Sequence, residues 1–90
     1  MRRDHDAPGT HTMVEARFDE EGSLTPLAFH WRGRRMPVAA CGRTWVTGCG
    51  EAREWHYLVM TAGEETFELV LERYTLQWRV LRQRAAQALA

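Results

Sequence analysis

The stretch Phe29-His30-Trp31-Arg32-Gly33-Arg34-Arg35-Met36-Pro37-Val38 decides the fold. Read as two strands joined by the two-residue turn Arg32-Gly33, it pairs Trp31 with Arg34, Phe29 with Met36 and Leu27 with Val38, which gathers the large apolar groups on one face. Gly33 suits the positive φ of a primed hairpin turn, and alternation sends His30 and Arg35 to the other face. Pro37 falls on that polar side, as an edge strand tolerates.

Outward from this hairpin the period-2 pattern continues. Towards the N-terminus, Val14, Ala16 and Phe18 alternate with Glu15 and Arg17 in a strand spanning 12 to 18, ended by the turn residues Asp19-Glu20-Glu21-Gly22-Ser23. Pro26 sets the start of the strand from Leu27 to Arg32, and the next runs from Arg34 to about Ala40. Beyond it, Cys41-Gly42-Arg43-Thr44-Trp45-Val46-Thr47-Gly48-Cys49-Gly50 holds three glycines and reads as the least regular segment, a short strand or one helical turn anchored by Trp45. Trp55, Tyr57 and Val59 then alternate with Glu54, His56, Leu58 and Met60. After the turn at Thr61 to Glu65, Phe67, Leu69 and Leu71 share a face. A turn near Arg73-Tyr74 leads to Leu76, Trp78 and Val80 alternating with Gln77, Arg79 and Leu81. An even register brings the two odd-numbered sets of the middle strands side by side. The expected core anchors are Trp31, Trp55, Phe67 and Trp78.

The ends lack this pattern. Residues 1–11 mix Arg, Asp, His, Pro and Gly and read as a disordered tail, 12–83 as a single small β domain, and 84–90, within the run of Arg, Gln, Ala and Leu that begins at Arg82, as a frayed tail too short to hold a helix alone. The expected fold is all-β: an antiparallel meander of five to six short strands closing into a small SH3-like barrel or roll.

The chain has 90 residues, zero formal net charge, and twelve basic residues that are all Arg. Neutral balance argues against avid general binding to nucleic acid, which depends on a basic surface releasing counterions. No apolar run approaches the length of a membrane span, and Met1 to Asp6 is not followed by the apolar segment of a secretory signal, so a cytoplasmic protein without membrane contact is the expectation. Cys41 and Cys49 are expected as free thiols.

The order of residues resembles a family of small bacterial domains of unknown function, found alone or at the C-terminus of ImuB-type Y-family polymerase-like proteins. The resemblance covers about 14–83. It is carried by the Val14 to Phe18 strand with its Asp-Glu turn and Gly22, by Phe29-x-Trp31-Arg32-Gly33-Arg34 with Val38, by Trp45, and by Tyr57-x-Val59, Gly63, Phe67-x-Leu69 and Trp78-x-Val80. Phe-x-Trp-Arg-Gly-Arg is the most specific piece. The resemblance implies a cytoplasmic bacterial setting linked with mutagenic DNA repair, with polymerase components of that system as partners, and it carries over no catalytic residue. Cys41, Cys49 and the Gly-rich segment between them depart from the family pattern.

Trp31, Arg32, Arg34 and Arg35 are the candidate binding residues, since Arg beside an aromatic ring suits nucleic-acid backbones, stacked bases and acidic protein surfaces alike. The plainer reading makes Trp31 part of the core with Arg34 lying over its ring as a cross-strand cation–π pair. Cys41, Cys49, His30 and His56 lack the close Cys pairs of a structural zinc site, so neither metal nor other cofactor is expected. His56 has no neighbouring nucleophile in sequence, and Glu64, Glu65, Glu68 and Glu72 read as a solvated turn and strand face; a triad would need residues brought together by the fold. The leading expectation is therefore a non-enzymatic protein-docking module in a DNA-damage-tolerance context. The alternative is single-stranded nucleic-acid binding through the Arg32 to Arg35 turn and the C-terminal arginines.

Overall fold

A computed structural model describes residues 9–83 as an all-β fold of eight antiparallel strands. In chain order these are β1 (Thr10–Thr12), β2 (Val14–Phe18), β3 (Leu24–Trp31), β4 (Arg34–Pro37), β5 (Ala40–Thr47), β6 (Glu54–Met60), β7 (Thr66–Glu72) and β8 (Gln77–Gln83). They form two sheets, one of five strands in the order β1-β8-β7-β6-β5 and one of three in the order β2-β3-β4.

The hairpin that decides the fold has the expected register, with Trp31 opposite Arg34 and Phe29 opposite Met36, and the Val38 amide donates to the Leu27 carbonyl over 2.9 Å. Arg32 and Gly33 take φ of 51° and 80°, positive at both central positions as a type I′ turn requires. One residue departs from the alternation. Leu27 is left without a partner at a bulge, because Glu15 faces Ala28 while Ala16 faces Pro26. An inserted residue flips the faces on either side of it. Ala28 and Phe29 are therefore both fully buried, while Leu27, expected on the apolar face, is exposed.

The middle hairpins also pair as the sequence implies, Trp55 with Leu71, Tyr57 with Leu69 and Val59 with Phe67. Their inward row meets Phe29 and Met36 of the small sheet in one core with Val80. The Phe67 ring sits 4.9 Å from Phe29 and 5.2 Å from Trp31, joining the two sheets. Of the four expected anchors only Phe67 is fully buried. Trp31, Trp55 and Trp78 pack against the core but keep part of each ring at the surface. Trp31 and Trp55 are partly covered by guanidinium groups, Arg32 at 5.0 Å and Arg73 at 4.5 Å from the ring centroids.

Four expectations are corrected, and over the Gly-rich segment, read as a short strand or one helical turn, the strand is found. The strand expected over 12–18 is two strands: Met13 separates β1, which pairs with β8, from β2, which pairs with β3. Thr10 and His11 consequently belong to a strand and not to a tail, while 1–8 and 84–90 lie outside the described residues. The Gly-rich segment is mostly strand, because Thr44-Trp45-Val46-Thr47 is β-branched and aromatic throughout and outweighs Gly42, which is absorbed in a bulge between Cys41 and Thr44. Leu76 is in the β7–β8 turn at φ 62°, 63 % exposed, where its amide donates to the Glu72 carbonyl. Finally, the chain crosses between sheets at Met13 and at Val38-Ala39, but the two sheets do not close into a barrel.

Candidate functional site

The lack of closure leaves a gap. β3 pairs with β4 only from Ala28 onward, so Leu24 to Pro26 have β2 on one side and no strand on the other. Across from them runs β5, the edge of the large sheet, paired only with β6. Between the two lies a cleft of about 440 Å³ lined by Gly22 to Leu24, by Thr44, Trp45 and Val46 of β5 and by Trp55, His56 and Tyr57 of β6. The hairpin that forms one wall is held by Asp19, whose carboxylate accepts from the Ser23 and Glu21 amides at 2.9 and 2.8 Å. These bonds hold the Asp19 pKa below its ordinary value. At the other wall Val46 is 55 % exposed, a large apolar side chain on an open edge. Desolvation raises the Tyr57 phenol, opposed by the nearby Arg73 charge.

The opposite face of the same sheet is polar. Strand register lines up His11, Arg79, Val70, His56 and Trp45 across all five strands. Arg79, only 2 % exposed, reaches Glu54 at 3.1 Å and Glu72 at 2.5 Å. Burial works against its charge, yet the hydrogen bonds it donates to the Glu54 and Glu72 carboxylates, with their charges, outweigh it and raise the pKa. His56 stacks on Trp45 with ring centroids 5.0 Å apart and planes within 9°. Its Nδ1 lies 2.6 Å from Glu68 Oε2 and its Nε2 2.8 Å from Thr47 Oγ1, and Gln83 Nε2 donates to the other Glu68 oxygen at 3.2 Å. Nothing in the order of residues signals this set, because Thr47, His56 and Glu68 come from three strands whose pairing must be known first. Glu68 and Glu72 are accordingly not a solvated face, although Glu64 is exposed.

The expected binding residues sit together on the β3–β4 hairpin but are partly committed. Arg35 forms a two-pronged pair with Glu15 at 2.7 and 2.8 Å, which lowers the Glu15 pKa and raises that of Arg35. The guanidinium over Trp31 belongs to Arg32 and not to Arg34, since the left-handed turn conformation folds the adjacent side chain back over the ring. Arg34 is exposed. The C-terminal arginines do not join them: Arg79 is buried on the far sheet, Arg82 pairs with Glu65 at 3.1 Å, Arg73 covers Trp55, and Arg84 is outside the described residues.

Cys41 and Cys49 are free and exposed. They stand at β5 and just beyond its far end, while a disulfide needs Cα atoms about 4.4 to 6.8 Å apart and a strand rises about 3.3 Å per residue, so they cannot pair within one chain. Desolvation pushes the Cys41 thiol up. Among the described residues no group of three or more His, Cys, Asp or Glu is placed to hold a metal ion. Nor is any described helix long and apolar enough to cross a membrane. No protein-family model, curated protein or solved structure matches the chain.

Proposed function

We propose that this chain is an interaction module that takes up an extended segment of a partner protein along the open edge of β5. The observation that carries this reading is the gap between β5 and the unpaired half of β3. A strand added to β5 gains main-chain hydrogen bonds, and its alternate side chains fall on opposite faces of the sheet. One set enters the cleft beside Leu24, Val46, Trp55 and Tyr57 and is therefore apolar. The other set lies on the face of Arg43, whose guanidinium sits 4.7 Å over Trp45 and has no carboxylate partner among the described residues. The segment is accordingly one that alternates apolar and acidic residues. By the family resemblance, its source is a component of a bacterial mutagenic-repair polymerase assembly, and the setting is the cytoplasm.

Single-stranded nucleic acid is the weaker reading because Arg35 is held by Glu15 and Arg79 by Glu54 and Glu72. The two are separated by selecting strand-length peptides from a random displayed library. The expected peptides alternate apolar and acidic residues, and Val46→Asp weakens them about tenfold or more, roughly 1.4 kcal/mol. Arg32→Gln with Arg35→Gln leaves them unchanged. Selected peptides indifferent to Val46→Asp would contradict the reading. So would submicromolar binding of single-stranded DNA, abolished by Arg32→Gln with Arg35→Gln, whose log–log salt slope carries about 0.7 to 0.9 per phosphate neutralised.

A further inference from the structure

The geometry points to Thr47 as a hydroxyl that accepts an acyl group from activated esters, with His56 as its general base and Glu68 as the positioning residue. Glu68 Oε1 accepts from Gln83, and a carboxylate can only accept, so the short contact from Glu68 Oε2 to His56 requires the proton on Nδ1. In the neutral imidazole, the form a general base must have, that tautomer leaves a lone pair on Nε2. The group 2.8 Å from it is the Thr47 hydroxyl, which therefore donates to Nε2. Hydroxyl, imidazole and carboxylate thus stand in the order of an activated nucleophile, its base and the group that orients the base.

Two features separate this from a simple cross-strand polar contact. His56 is 9 % exposed and fixed in plane by the parallel Trp45 ring, whereas Thr47 is exposed at the end of an edge strand and has water available for its hydroxyl. An acyl carbon can therefore reach Oγ1 from solvent while the base stays in place. Glu54 Oε1, 3.8 Å from Nε2, is close enough to stabilise the imidazolium that forms. The other charged groups facing the array from the same sheet are Arg79, held by Glu54 and Glu72, and Arg43, whose guanidinium sits 4.7 Å over the Trp45 ring.

In the step, Thr47 Oγ1 forms a bond to the carbonyl carbon and its proton passes to His56 Nε2. The bond from that carbon to the leaving oxygen breaks, and the leaving group departs with the electron pair and takes the proton from Nε2. The product is an ester on Thr47. No oxidant, reductant or metal is consumed. A segment docked along β5 would run past Thr47, so the test is made on the chain without such a segment, and its outcome is separate from the docking reading.

The test uses the full chain and p-nitrophenyl acetate, with the acetyl group located by peptide mass mapping so that reaction at Cys41 or Cys49 is counted apart. Acetylation of Thr47 is expected, abolished in Thr47→Val, and slower by about 10² or more in His56→Gln, the usual contribution of a general base. Glu68→Gln should shift the pH profile of Thr47 acetylation, a change that a merely structural role would not produce. Thr47→Val lies on an exposed site and keeps the fold, so the unfolded state of a His56 variant cannot decide the outcome. Acetyl confined to the thiols and the amino terminus overturns the assignment, as does a Thr47 rate unchanged in His56→Gln.

Discussion

Arg79 illustrates how single residues shape this protein. It sits in the third position of a strand whose neighbours Trp78 and Val80 face the core, so alternation sends its side chain to the outer face of the large sheet. A charge at 2 % exposure is tolerated only where it is paired, and Glu54 and Glu72 supply the pairing from β6 and β7. Truncation leaves two carboxylates close together without their cation. Arg79→Ala is expected to cost about 3 to 5 kcal/mol, the usual range for breaking a buried ion pair. Arg35→Ala, which breaks an exposed pair with Glu15, should change stability far less, because water and salt screen that pair. Chemical denaturation of the two variants checks the contrast, and similar losses in both would contradict the placement of Arg79.

At the scale of elements, the strands with clean alternation were legible and those with a defect were not. The β3–β4 hairpin is specified by local chemistry alone, with Gly33 at the turn and aromatic residues at matching positions, and its register is as read. β6 and β7 follow for the same reason. Leu27 was misplaced because a bulge depends on the partner strand, and nothing in β3 itself signals one extra residue. β5 was legible only as a short strand or one helical turn, because its glycines obscure the strong strand preference of Thr44 to Thr47. Its far end is fixed by Gly48, at φ 73°, where an added Cβ would lie 2.2 Å from the Ala52 carbonyl oxygen. Gly48→Ala combines that clash with a disfavoured backbone region and is expected to cost about 1 to 3 kcal/mol or more. Gly22→Ala, at φ 84° with open space around it, carries the backbone cost alone. A smaller loss in Gly48→Ala than in Gly22→Ala, read by thermal melting, would show that the end of β5 is not closed as described.

For the whole molecule, composition and periodicity were enough for an antiparallel all-β domain but not for its closure. Whether two sheets meet edge to edge depends on where strands cross between them, and Met13 and Val38-Ala39 look like ordinary strand residues in the sequence. The candidate site was legible in the same partial way. Trp31, Arg32, Arg34 and Arg35 do share one hairpin, but the pairing of Arg35 with Glu15 required the fold, and the cleft beside β5 exists only because the sheets stay apart. Thr47, His56 and Glu68, distant in sequence, meet only through the pairing of β5, β6 and β7.

The central claim is that β5 is the docking edge, and amide hydrogen exchange with and without a selected strand-length peptide tests it most directly. The account predicts that bound peptide slows exchange at Thr44 to Thr47, with lesser protection at Leu24, and leaves Arg32 to Arg35 unchanged. Protection confined to Arg32 to Arg35, or none along β5, would contradict it.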